Sequence, residues 1–326
     1  MPKQFNPRLH NEIYPFISPS KFAGALKGKV AIITGSAGTI GQAIAECFAV
    51  AGANLVLVYN RTEPPAELRE RCKTLGASGF TLIKCNVGDF ESCKTLVDQV
   101  HEKVGKADIV VNNAGVDSLG TVHTQDPLKF VNDLATNLHG PYFLMRLLMP
   151  TFIERGSGCV VNIASKAGTE NMAFNTNYSV SKAALIRLTG CVQKELDACG
   201  HGGIHLYAVH PGAVRSSMTS PEAAALAFQA YQEVLKGFTS ALGNFKDTPH
   251  LSGMVSVALA TGVAKKALSG RYFDAEHDLE DVIAQTEALE ADPLLYSLHT
   301  KFPNDMPNSG GTVFLPAEEP FVFPGF

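Results

Sequence analysis

From Lys29 onward the chain alternates short β-branched apolar runs with stretches of helical periodicity, and few folds accommodate that pattern. KVAIIT (29–34), NLVLVY (54–59), FTLIKC (80–85), ADIVVN (107–112), CVVNIA (159–164) and IHLYAV (204–209) have the length and make-up of buried strands, and SGRYFDA (269–275) reads as a last one. Between them, TIGQAIAECFAVAGA places apolar residues at 40, 43, 44, 47, 48 and 51, which is helical spacing. PPAELRERCKTLG and ESCKTLVDQVHEKVG read as further helices, and longer ones are predicted over 127–153 and 176–199. Strands apolar on both faces need cover on both faces, so the pattern predicts an α/β fold with a doubly wound parallel sheet. Right-handed crossovers then leave a crevice at the carboxyl ends of the strands. Past the sixth strand the pattern loosens, with helices expected over 220–238 and 253–263.

Composition narrows the function classes. Lys+Arg number 27 against 31 Asp+Glu, a formal charge of −4, which excludes a basic nucleic-acid surface as the main business. No apolar run reaches the ~18–20 residues of a membrane helix, and the first residues lack the pattern of a secretory signal. The seven cysteines are odd in number, contain no CxxC and fall mostly in apolar segments. We therefore expect reduced, buried thiols and a cytoplasmic setting. No histidine spacing fits a metal site, so none is expected. The expected organisation is a polar, proline-punctuated arm (1–27), a single catalytic domain (28–275) and a C-terminal extension (276–326) bearing Phe302, Phe314, Phe321, Phe323 and Phe326.

Three motifs fall on the predicted crevice. TGSAGTIG (34–41) joins the first strand to the first helix. There Gly35 permits a tight turn, and Gly38 and Gly41 remove side chains where backbone approaches a phosphate or the strand. The helix N-terminus offers unpaired N–H groups to a pyrophosphate. NNAG (112–115) ends the fourth strand, and could by itself be no more than a turn. Tyr178 and Lys182 stand at i and i+4 on one helix face, with Ser165 just past the fifth strand.

These motifs, together with Asn137 in ATNLHGPYF and the HPGAVRS segment (210–216), occur in an order and spacing that resembles the short-chain dehydrogenase/reductase family in its shorter, single-domain branch. The resemblance covers residues 28–275, and the arm and tail are similar to those of fungal members. It implies a Rossmann-type oxidoreductase that interconverts a ketone or aldehyde and an alcohol. Tyr178 would be the general acid/base and Lys182 a cation lowering its pKa and bonding the nicotinamide ribose. Ser165 would polarise the substrate oxygen, and Asn137 would hold a water in a proton relay. The resemblance assigns cofactor contacts to Gly35, Ser36, Thr39, Ile40, Gly41, Asn60, Arg61, Asn86, Val87, Asn113, Ala114, Gly115, Tyr178, Lys182, Pro211, Gly212, Val214 and Ser216.

The sequence departs from the family pattern at three places. Thr39 stands where the branch has its third glycine, and either adds a hydroxyl to the phosphate cradle or crowds it. Asn86 replaces the acidic residue that contacts adenine, and Ser216 replaces a threonine. After the second strand, Tyr59-Asn60-Arg61-Thr62 carries no carboxylate to repel a 2′-phosphate, and Arg61 can clamp one, so NADP(H) is expected over NAD(H). Leu226, Tyr231, Leu235 and Phe238 are candidate substrate contacts. With no basic cluster nearby, the expected substrate is a medium-sized, mainly apolar small molecule. A homodimer or homotetramer built through the 127–153 stretch is expected. Two further readings are an atypical member catalysing isomerisation, dehydration or cyclisation, and a non-enzymatic dinucleotide sensor.

Overall fold

The computed structural model describes residues 4–219, 224–225, 228, 231–306 and 324. The apolar runs form β1 (Val30–Thr34), β2 (Asn54–Tyr59), β3 (Gly79–Lys84), β4 (Ile109–Asn112), β5 (Gly158–Ile163), β6 (Ile204–His210) and β7 (Tyr272–Asp274). All pair in parallel, in the order β3-β2-β1-β4-β5-β6-β7. The order reverses between β1 and β4, where Ile33 pairs with Leu57 on one side and Val111 on the other. Crossovers leaving in opposite directions open a crevice beyond the ends of these two strands. This is the doubly wound, Rossmann-type sheet that the alternation predicts.

The helices are α1 (Pro19–Phe22), α2 (Thr39–Val50), α3 (Ala66–Leu75), α4 (Phe90–Lys103), α5 (Pro127–Leu134), α6 (Gly140–Arg155), α7 (Thr176–Ala198), α8 (Gln232–Leu242), α9 (Pro249–Ala260), α10 (Lys265–Leu268), α11 (Leu279–Ile283) and α12 (Thr286–Ala291). Their ends follow local chemistry. Gly76 stops α3 at φ +111°, a conformation that costs other residues energy. Asp89 caps α4 by accepting from the Ser92 N–H at 2.7 Å. Successive strand residues serve opposite cores. Ile33 joins Ile44, Phe48, Leu57 and Val255 on one face, and Ile32 joins Val56, Leu148 and Phe152 on the other. On the first face α9 lies so close to α2 that a Cβ on Gly253 would be 2.6 Å from the Cys47 sulfur.

Three sequence expectations change. The helix predicted over 127–153 is broken by a π-helical turn, Ala135–His139, between α5 and α6. Pro141 has no N–H to give the Asn137 carbonyl its α-helical bond, and Gly140 packs where a Cβ would be 3.0 Å from Val87. The helix expected over 253–263 starts at Pro249 and ends at Ala260, before Gly262 at φ +84°. Of the 220–238 stretch, residues 220–223, 226–227 and 229–230, Leu226 among them, lie outside the described residues, and α8 begins only after Tyr231.

The arm is tied into the body. Tyr14, Ile17, Phe22 and Leu26 are buried in the first core. Arg8 makes a two-pronged bond to Asp281 at 2.8 Å each, and the Tyr14 hydroxyl accepts from the Leu279 N–H at 2.8 Å. Thus the arm clasps α11, part of the extension that the sequence left without structure. Of the tail phenylalanines, Phe302 is described; Phe314, Phe321, Phe323 and Phe326 lie outside the described residues. No described helix is long and apolar enough to cross a membrane.

Candidate active site

The turn after β1 is built for close approach. Gly35 has φ +65°, and a Cβ there would meet the Ala114 Cα at 2.7 Å. A Cβ on Gly41 would fall 2.3 Å from the Gly35 carbonyl oxygen, so α2 can reach the strand only with glycine at that position. Gly38 has a φ of −75° and its nearest described neighbour to a Cβ lies at 3.5 Å, so no described residue demands glycine there. Gly38 and Thr39 are exposed, and no described side chain caps α2. The first N–H groups of this helix therefore point into the crevice without a side-chain acceptor, the arrangement that accommodates a phosphate.

The end of β4 is laced to this turn. Asn113 donates through Nδ2 to the carbonyls of Thr34 (2.9 Å) and Gly35 (3.1 Å), and the Thr34 hydroxyl accepts from the N–H groups of Asn113 and Ala114 at 3.0 Å each. Asn113 thus fixes the floor of the crevice through its amide. Ser36 is fully buried, with its hydroxyl donating to the Val58 carbonyl at 3.0 Å, and lines neither cavity. Its place is beneath the turn, tying it to β2.

Two adjoining cavities run along the sheet edge. They meet at Gly115: one of 270 Å³ is lined by Thr39, Ile40, Arg61, Tyr178, Lys182, Pro211 and Ser216, and one of 680 Å³ by Asn60, Arg61, Asn86, Val87, Ala114 and Asp117.

 A separate cavity of 370 Å³ lies between the arm and α11–α12, against Phe5 and Tyr296. Arg61 is exposed at the shared wall of the other two and makes no ion pair among the described residues. Glu63, a carboxylate just past the segment that the sequence reading weighed, bonds the Tyr59 hydroxyl and lines neither cavity. Asn86 spends its Oδ1 on the Gly88 N–H at 3.2 Å, which leaves its amide N–H groups for a ligand.

The polar groups at the ends of β5 and α7 converge. The Ser165 hydroxyl acts on that of Tyr178 and favours its ionised form. Lys182 is 3% exposed; its Nζ lies 5.4 Å from the centre of the Tyr178 ring and donates to the Ile163 carbonyl at 2.7 Å. Burial pushes the Tyr178 hydroxyl up to about 12 and holds Lys182 down at about 8. The sequence expectation of a lowered tyrosine value is therefore not met: loss of water disfavours the phenolate, the Asp117 charge adds to that, and the Ser165 hydroxyl only partly opposes both.

Asn137 occupies the π-helical turn and is fully buried. Its side chain is consumed: Oδ1 accepts from the Val116 N–H (2.9 Å), and Nδ2 donates to the Val116 carbonyl (2.9 Å) and to Ser181 Oγ (3.0 Å). Gly212 and Val214 are placed behind the crevice wall: Val214 is buried, and a Cβ on Gly212 would meet the Asp247 carboxylate at 2.7 Å. Sequence reasoning missed Asp117 and Asp133. Burial and the neighbouring Asp133 raise Asp117 to about 7, and Asp133 is raised by its own burial. The available signal was an acidic residue two positions after NNAG, at the carboxyl edge of the sheet.

The short chain dehydrogenase family model matches residues 29–227. The chain belongs to that family. A short chain dehydrogenase of Pseudocercospora fijiensis is 31% identical over 278 residues, 84% of this chain and 88% of that relative. The short chain dehydrogenase pigC of Monascus ruber is 29% identical over 298 residues, 88% of this chain and 91% of that one. Among solved structures, a metagenomic short-chain oxidoreductase in complex with NADP aligns with a TM-score of 0.59 at 28% identity, over 73% of this chain and 92% of that protein. The family fold is the seven-stranded parallel sheet described above, and the site lies at its carboxyl edge as in any doubly wound nucleotide-binding sheet.

Proposed function

We propose that this short-chain dehydrogenase is an NADP(H)-dependent oxidoreductase that interconverts a ketone or aldehyde and an alcohol on a medium-sized, mainly apolar small molecule. The observation that carries the reading is Tyr178 with Lys182 behind it on the wall of a cavity whose other wall is the glycine turn, with Ser165 acting on the Tyr178 hydroxyl. The residues fit a dinucleotide: uncapped N–H groups at α2, a glycine cradle that a Cβ would fill, and donors at Asn86 and Arg61. A bound nicotinamide supplies or accepts the hydride.

The chain's own residues handle the proton. With its value near 12, Tyr178 carries its hydrogen at neutral pH, the state needed to give a proton to a carbonyl oxygen. Ser165 holds the tyrosine oxygen and is placed to share the substrate oxygen. Lys182, anchored by the Ile163 carbonyl, is placed to return a proton to the tyrosine. Since the Asn137 amide is occupied, the water assigned to it would rest on the main-chain carbonyl, which Pro141 leaves without its α-helical donor.

Arg61, exposed at the shared wall, supports NADP(H) over NAD(H), and the NADP found in the metagenomic oxidoreductase is consistent with this. Exposed Leu128, Val131 and Tyr142 on α5 and α6 support a homodimer or homotetramer through that face. Seven free thiols, five of them buried, support a reducing, cytoplasmic setting. The test is absorbance of the reduced cofactor against a panel of apolar ketones. Consumption with at least one ketone is expected, and no consumption by a cofactor-binding protein would refute the oxidoreductase reading.

A further inference from the structure

Two buried acceptor oxygens beside the Tyr178–Lys182 pair have no donor among the described residues: Oδ1 of Asp117 and Oδ1 of Asn175. They are neighbours, because the Asn175 side chain acts on the Asp117 carboxyl and favours its charge. An enclosed acceptor left unpaired costs ~1–3 kcal/mol, so a pair of them marks a place where a donor is missing. Asp133 provides the contrast: it accepts from Asn177, and among the described residues neither of its oxygens is both enclosed and unpaired. Asp117 lines the larger cavity, which meets the smaller one at Gly115, and its charge acts on both Tyr178 and Lys182.

The backbone presenting Asn175 is itself unusual. Phe174 has φ +65°, a left-handed conformation that a bulky side chain rarely adopts. It is held by the Gly120 N–H, which donates to its carbonyl at 2.9 Å. Its ring meets Phe228 edge-on at 5.3 Å and Tyr231 at 6.1 Å. Strain of this kind collects at functional sites. The turn thus sets the Phe174 ring cluster directly before Asn175, four positions ahead of Tyr178 in the chain.

We propose that Asp117 and Asn175 form a subsite for a hydroxyl group of the substrate, so that the enzyme takes aromatic ketones bearing a hydroxyl within a few carbons of the carbonyl. This rests on the oxidoreductase reading and names its substrate class. The hydroxyl donates to Asp117 Oδ1, the aromatic part lies against Phe174 and its partners, and the carbonyl oxygen meets Ser165 and Tyr178.

The test compares kcat/KM within matched pairs: acetophenone with α-hydroxyacetophenone, and propiophenone with β-hydroxypropiophenone. In the unaltered enzyme the hydroxylated member of at least one pair should be favoured by ~10-fold or more, the size of one enclosed hydrogen bond. Asp117→Leu should bring that ratio to near unity, and Asn175→Ala should lower it, with cofactor binding by nicotinamide fluorescence reporting that each variant is folded. A merely structural role would depress both members of a pair alike and leave the ratio where it was, which would overturn the proposal. No preference in the unaltered enzyme would overturn it while leaving the oxidoreductase reading intact. Failure of every ketone to turn over would remove both.

Discussion

Burying an ammonium beside a phenol has a stability consequence that can be read without any substrate. The Lys182 side chain falls from its ordinary 10.5 to about 8 because burial penalises its charge. Below pH 8 the lysine is charged in both the folded and the unfolded chain. Between about 8 and 10.5 the folded chain has released the proton while the unfolded chain still holds it, so raising the pH through that window favours folding. At ~1.4 kcal/mol per decade, the effect between pH 8 and pH 10 is roughly 2 kcal/mol. For a chain of 326 residues, an unfolding entropy of ~2 cal/mol/K per residue converts that into about 3 °C in Tm. Lys182→Met removes the titration. Other groups that ionise in the window do so in both proteins, so the Tm of the unaltered protein minus that of the variant should rise by about 3 °C from pH 8 to pH 10, read by calorimetry or dye-based melting. A difference that stays constant, or falls, would refute the claim that this lysine is held with a lowered pKa by burial.

Other perturbations give separate outcomes. Arg61→Ala should weaken NADPH ~10–100-fold, the worth of a charge-assisted bond, and leave NADH unchanged; a nicotinamide fluorescence titration reads both, and equal losses would reject the phosphate clamp. Gly41→Ala should abolish dinucleotide binding, since its Cβ would collide with the Gly35 carbonyl, whereas Gly38→Ala should keep the turn intact, as circular dichroism and the same titration will show. Paired Leu128→Glu and Val131→Glu substitutions on the exposed side of α5 should lower the mass found by light scattering if that face joins subunits.

The sheet was legible because each strand is apolar on both faces and each crossover carries its own helical period. Gly35 and the Tyr178–Lys182 spacing were legible because a tight turn and an i, i+4 pair are local properties. What escaped depends on neighbours distant in sequence. The break in the 127–153 helix arises from Pro141 together with the approach of Gly140 to Val87, and only the second of these needs the fold. The arm reads as polar, yet Tyr14, Ile17 and Phe22 are core because α9 and α11 supply the surface that covers them. Ser36 sits in the glycine motif, but the distance to β2 decides that its hydroxyl goes to Val58. The raised value of Tyr178 could not be read from its spacing to Lys182, because it reflects burial and an aspartate more than sixty positions upstream.

The central claim is that Tyr178 moves the proton. The direct measurement is the rate of reduced-cofactor consumption by Tyr178→Phe on a ketone the unaltered enzyme reduces, with cofactor affinity measured alongside. Positioned acid catalysis is worth ~10²–10⁴-fold, so the variant should lose at least that much in kcat while binding the dinucleotide as before; an unchanged kcat would contradict the account.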